Sequence, residues 1–181
     1  MKKIILSVLI ATGLIIGAWL IVQKPDSLSN PPSQNPTNQK IVPGAESSNS
    51  NINFTGEKGE TVNLENGEVK LESSIFSDNQ AKFYNTEMPG GKTIYFFVVK
   101  DKNGIYRAAA NACAVCFKTY KGFRQEGNEI VCNNCGNRYP IERIATEKGG
   151  CNPGPINPNL EVKNNQIIIQ QSVLDKVADL F

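Results

Sequence analysis

The chain has 181 residues, with 19 Lys and Arg, 17 Asp and Glu and no His. Without histidine there is no CxxCH haem attachment, no Cys2His2 finger, no histidine-based triad and no histidine zinc-hydrolase site. Residues 1–51 carry four Lys against two acids, while residues 52–181 carry 15 basic and 15 acidic side chains; a domain so balanced argues against a nucleic-acid partner.

Lys2 and Lys3 precede Ile4–Val22, 19 residues without a charge. At about 1.5 Å rise per residue such a run spans a bilayer core, and the flanking lysines place the N-terminus in the cytoplasm. Residues 1–22 are therefore predicted to be a single-pass membrane anchor. The rival reading, a cleaved secretory signal, wants a shorter apolar region and small residues before a cut, whereas this run ends Trp19-Leu20-Ile21-Val22. Either way the remainder is predicted on the extracytoplasmic side. Residues 23–51 hold 21 Ser, Asn, Gln, Thr, Pro or Gly in 29 positions. That composition offers too little apolar surface to offset ordering entropy, so a disordered linker is expected.

Residues 52–181 have the length of one small α+β domain, mainly β. The Thr93–Val99 run, β-branched and aromatic between turn signals, predicts a buried strand. It should pair with Ile105–Ala109 through a turn at Lys102-Asn103-Gly104. Val69–Leu71, Lys82–Tyr84, Glu129–Cys132 and Gln166–Ile169 read as further strands, and Ser172 as the cap of a last helix ending near Leu180, with Asp175 as its capping-box partner.

The chemistry is in the cysteines. Cys113-Ala-Val-Cys116 and Cys132-Asn-Asn-Cys135 are separated by 15 residues. Two CxxC pairs so spaced predict a four-thiolate metal site, a zinc-ribbon or rubredoxin-like double knuckle holding one Zn or one Fe. Two intervening residues let each turn aim both sulfurs at one point, and a hairpin brings the two turns face to face. Gly136 suits the second turn; Phe117, at the equivalent place in the first, departs from the pattern unless it shields the sulfurs. Between Arg107 and Lys148 there are seven basic and four acidic residues, cations that either offset the net charge of a four-thiolate centre or form a solvated surface. Two disulfides or a redox dithiol are the competing readings, and five cysteines leave one unpaired in any all-disulfide scheme. The fifth, Cys151, follows Cys135 after another 15 residues in a Lys148-Gly149-Gly150-Cys151-Asn152-Pro153-Gly154-Pro155 loop. It is a further candidate ligand, replacing one of the four or binding a second iron, or a small buried hydrophobe.

Phe96–Ala109, Ala112–Cys116, Gln125-Glu126-Gly127, Val131–Gly136, Tyr139-Pro140 and Lys148–Pro153 together resemble the FtrD-like membrane iron–sulfur family, over about Val69 to Ile169. The family is named for a component of a bacterial iron-transport system. The resemblance implies an iron–sulfur cluster held by Cys113, Cys116, Cys132 and Cys135, with Cys151 a further candidate, and electron movement beside a membrane permease or another redox partner. Many family members place a multi-helix membrane region before this domain, where this chain has one predicted anchor. Three functions follow: an electron carrier, a structural zinc-ribbon interaction module, or a metal-delivery protein using Cys151 as exchange ligand. No nucleophile–base pair is visible, so a carrier is expected rather than a catalyst.

Overall fold

A computed structural model describes residues 53–181. The anchor expected over 1–22 and the linker expected over 23–51 lie outside the described residues. Among the described residues no helix is long and apolar enough to cross a membrane.

The described residues form eleven strands in chain order: β1 (Glu60–Thr61), β2 (Glu68–Glu72), β3 (Lys82–Glu87), β4 (Thr93–Lys100), β5 (Tyr106–Cys113), β6 (Phe123–Glu126), β7 (Glu129–Cys132), β8 (Arg138–Pro140), β9 (Pro153–Leu160), β10 (Val162–Lys163) and β11 (Gln166–Gln170). One α-helical turn, α1 (Gln171–Leu174), runs on into a 3-10 segment, Asp175–Leu180. The strands make a central five-stranded sheet in the order β1-β3-β4-β5-β9 and two three-stranded sheets, β10-β11-β2 and β6-β7-β8. The molecule is mainly β, as its composition of turns and β-branched runs predicts.

The continuous apolar stretch of β4 follows from burial on both faces. Alternate side chains point to opposite sides of a strand. Ile94, Phe96 and Val98 pack with Val69, Leu71, Ile167, Ile169 and Leu174 in one core. Phe97 and Val99 pack with Ala109, Phe123, Ile130 and Ile141 in another. The central sheet thus separates two cores, one shared with β2 and β11, the other with the β6-β7-β8 sheet. The predicted β4–β5 hairpin forms, with Phe97 opposite Ala109 and Lys100 opposite Tyr106. Its turn closes through the Asp101 amide donating to the Ile105 carbonyl at 2.9 Å. The buried Asp101 carboxylate accepts the Asn103 and Ile105 amides and the Nε and Nη2 of Arg107. Nη1 of Arg107 reaches the Pro158 carbonyl at 2.9 Å, tying this turn to β9.

Two expectations are corrected. The last helix is capped at Gln170, with no side-chain hydrogen bond to its first turn, and Ser172 lies inside it. Only one turn is α-helical, and the rest tightens to 3-10 over Asp175–Leu180. Residues 153–155, read from sequence as part of a loop, instead begin β9, the edge strand beside β5. An edge strand leaves one side of its backbone without a ladder partner, which is where prolines are tolerated. The register shifts between β5 and β9 mark the places where the ladder is interrupted.

Candidate metal centre

Strand parity decides where the first cysteine points. Ala109, Asn111 and Cys113 are spaced by two along β5 and so share one face. Ala109 and Cys113 both lie in the core against the β6-β7-β8 sheet. Ile130 and Cys132, two apart on β7, enter the same core. Two facing sheets therefore deliver Cys113 and Cys132 to one place, both buried. Beyond β5 the chain turns into a 3-10 helix, Phe117–Thr119, and Cys116 is its N-cap residue. Beyond β7 a tight turn returns to β8; the Gly136 amide donates to the Cys132 carbonyl at 3.0 Å, and Gly136 has φ 76°. Cys135 sits in this turn and is exposed.

Cys151 is brought in by the sheet. Cys113 pairs with Pro153 across the β5–β9 ladder, so the residue two before Pro153 lies beside the first CxxC. The Cys116 and Cys151 sulfurs are 3.8 Å apart. All five cysteines converge, in two sets. The sulfurs of Cys113, Cys116 and Cys132 lie within 4.8 Å of one another, and so do those of Cys116, Cys135 and Cys151.

Amide donors surround the sulfurs. The Cys116 amide donates to Cys113 Sγ at 3.1 Å, and Asn134 Nδ2 to Cys116 Sγ at 3.4 Å. The Cys135 and Asn134 amides point at the Cys132 sulfur, and the Asn137 amide at that of Cys135. The Asn137 amide holds the Cys135 thiol below its ordinary value, helped by the neighbouring thiols of Cys132, Cys151 and Cys116. Burial pushes Cys132 up against its two amides, and burial followed by the Cys135 and Cys116 sulfurs pushes Cys151 up.

Asn111 and Gly122, which the sequence reading passed over, hold the two halves together. Asn111 is fully buried on the cysteine-bearing face of β5. Its Oδ1 accepts the Phe123 amide at 2.6 Å, and its Nδ2 donates to the Glu57 carbonyl at 2.8 Å. Phe123 opens β6 and lies opposite Cys132. One side chain therefore joins the strand ending at Cys113 to the hairpin carrying Cys132. Gly122 makes room for it: its φ is 63°, and a Cβ there would lie 2.6 Å from Asn111 Oδ1. The signal was present, since Asn111 is the one polar residue in Ala108-Ala109-Ala110-Asn111-Ala112-Cys113.

The surrounding cations are less available than their count suggests. Arg107 is bound to Asp101, Arg124 and Arg138 to Glu126, and Arg143 to Glu147. Among the described basic residues of this stretch, Lys118, Lys121 and Lys148 make no ion pair within 4 Å. The arginines serve the surface and the β4–β5 turn rather than the sulfurs.

The donor set suits a thiolate-bound metal. Five soft sulfurs, several amides directed at them and an apolar wall of Phe97, Phe123, Ile130 and Ile141 match what zinc or an iron–sulfur cluster requires. Fold and site together define a mainly β domain with cysteine clusters capable of holding a metal. Residues 76–181 match the family model described as membrane iron-sulfur containing protein FtrD-like, which covers more than half of the chain, and the chain belongs to that family. The family's description associates it with membranes and iron–sulfur chemistry, and its name with iron transport. No curated protein and no solved structure matches the chain.

Proposed function

We propose that this protein is a membrane-anchored, extracytoplasmic iron–sulfur electron carrier that serves iron or other metal uptake, exchanging electrons with a membrane permease or a redox partner beside it. The observation that carries the proposal is the convergence of five sulfurs with one exposed edge. Cys113 and Cys132 are buried while Cys135 is exposed, and Val115, between the first two cysteines, is 63% exposed. A centre shielded on one side and open on the other is what short-range exchange with a docked partner needs. Cys113, Cys116, Cys132, Cys135 and Cys151 are the proposed ligands. The iron–sulfur centre supplies a one-electron couple when bound.

The rest is the work of the chain itself. The amides of Cys116, Asn134, Cys135 and Asn137 stabilise negative charge on sulfur and so raise the potential of the centre. The apolar wall excludes water from the inner sulfurs. The membrane helix proposed over residues 1–22 and the linker over 23–51 keep the domain close to its partner. Fast electron exchange needs no nucleophile and no general base.

The test is iron and acid-labile sulfide content of the full chain, purified in detergent without oxygen, together with its visible and electron paramagnetic resonance spectra. Iron with matching sulfide and a reversibly bleached visible absorption supports the proposal. One zinc, no sulfide and no colour would replace it with a structural zinc module.

A further inference from the structure

A single tetrahedral ion with metal–sulfur bonds of about 2.3 Å holds its four sulfurs about 3.8 Å apart in every pairing. The cysteines here are arranged otherwise. They form two triangles, Cys113–Cys116–Cys132 and Cys116–Cys135–Cys151, that share the Cys116 sulfur. The two sets also differ in setting. The first is built on strand ends, with Cys113 and Cys132 buried; the second lies on a turn and a loop, with Cys135 exposed and Cys151 half-buried.

We infer that the centre is binuclear and that the Cys116 thiolate bridges its two metal positions, an inner one held by Cys113 and Cys132 and an outer one held by Cys135 and Cys151. This rests on the metal-thiolate reading above and goes further in assigning each sulfur. A thiolate has lone pairs enough for two metals, and Cys116 is the residue placed for it: its sulfur is 3.8 Å from that of Cys151 and belongs to both triangles. Asn134 Nδ2, 3.4 Å from the same sulfur, donates to it from the side chain and orients it. Charge favours two ions over one. Five thiolates carry −5, which one divalent cation leaves at −3 and two reduce to −1. Each position receives three protein sulfurs, one fewer than a tetrahedral ion takes, so each keeps a place for inorganic sulfide or another ligand. The exposure difference makes the outer ion the exchangeable one.

The experiment titrates Co2+ anaerobically into the full chain, reduced and metal-free in detergent, and follows the thiolate-to-cobalt absorption. Two equivalents should bind, and a chelator should remove one of them first. Cys151→Ser and Cys135→Ser should each bind one equivalent and lose the readily chelated ion. Cys116→Ser should weaken both, by roughly 10- to 100-fold or more. Circular dichroism of each variant establishes that it is folded before binding is scored. A single equivalent in the unaltered protein, or a Cys116→Ser variant no weaker than Cys151→Ser, overturns the inference. The two proposals fail separately. Two cobalt equivalents in a protein that is isolated without iron or sulfide would remove the electron carrier and keep the bridge. One equivalent in a protein isolated with iron and sulfide would do the reverse.

Discussion

Replacing Asn111 tests whether the inner half of the site is held by one buried side chain. Asn111→Leu keeps the volume and removes both hydrogen bonds, the 2.6 Å bond from the Phe123 amide and the 2.8 Å bond to the Glu57 carbonyl. Phe123 is 1% exposed, so its amide is left buried without a partner. Leaving a buried polar group unpaired costs about 1–3 kcal/mol. The Glu57 carbonyl lies in an exposed residue and recovers part of its loss from water. Leucine also differs in shape from the planar amide it replaces, beside a glycine with no room to spare. The sum is about 3 kcal/mol, or roughly 10 °C in melting temperature for a domain of this size. The assay is guanidinium unfolding of the metal-free full chain followed by circular dichroism, with the denaturant slope compared between variants. Asn111→Asp puts a carboxylate oxygen against the Glu57 carbonyl in a fully buried place, so at neutral pH its loss should be at least as large as that of Asn111→Leu. Metal binding gives the second readout, because loosening Phe123 displaces Cys132, its partner across the β6–β7 ladder. An Asn111→Leu variant within about 0.5 kcal/mol of wild type would refute the reasoning.

The elements that the sequence made legible are those whose period or turn chemistry is local. β4, the Lys102-Asn103-Gly104 turn and β7 follow from β-branched runs and turn residues. β7 falls on the predicted Glu129–Cys132. β9 was hidden because Pro153, Pro155 and Pro158 argue against a strand unless its place at the sheet edge is known, and edge position is a tertiary fact. The same fact conceals the geometry of Cys151. Fifteen residues of spacing say nothing of the Cys113–Pro153 pairing that carries Cys151 to the first CxxC. That the cysteines could hold a metal was legible, since two CxxC pairs 15 residues apart have metal-ligand spacing. The distribution of five sulfurs over two triangles was not, because it depends on three separate backbone environments: the end of β5, the β7–β8 turn and the loop before β9. The count of nearby cations left two readings open for a related reason. Charge along the chain does not reveal that Arg124 and Arg138 converge on Glu126.

Three further outcomes are expected. In the metal-free, reduced protein an alkylating reagent should label Cys135 before the buried Cys113 and Cys132, and bound metal should protect all three; peptide mass spectrometry reads the order, and equal labelling would contradict the burial. Gly154→Val should destabilise by about 2 kcal/mol through overpacking, because a Cβ at Gly154 would lie 2.5 Å from Leu180 Cδ1 and 3.2 Å from the Ala110 Cβ; an unchanged unfolding midpoint would show that the C-terminal segment yields freely. The third concerns Asp101. Burial raises its carboxyl, but the Ile105 amide, Arg107 and the Asn103 amide together outweigh burial and hold it below the ordinary carboxylate range. The folded value therefore lies under the unfolded one of about 3.9. The unfolded chain takes up a proton first as pH falls, so the contribution of Asp101 is complete above about pH 4 and is lost below it. Asp101→Asn should cost about 3 kcal/mol at pH 7, since Arg107 is left buried beside a neutral amide. It should also flatten the dependence of stability on pH below 4. Unfolding midpoints measured between pH 7 and pH 2.5 decide the matter: if both proteins lose stability in parallel as the acid range is entered, Asp101 is not the group whose protonation loosens the β4–β5 turn and its tie to β9.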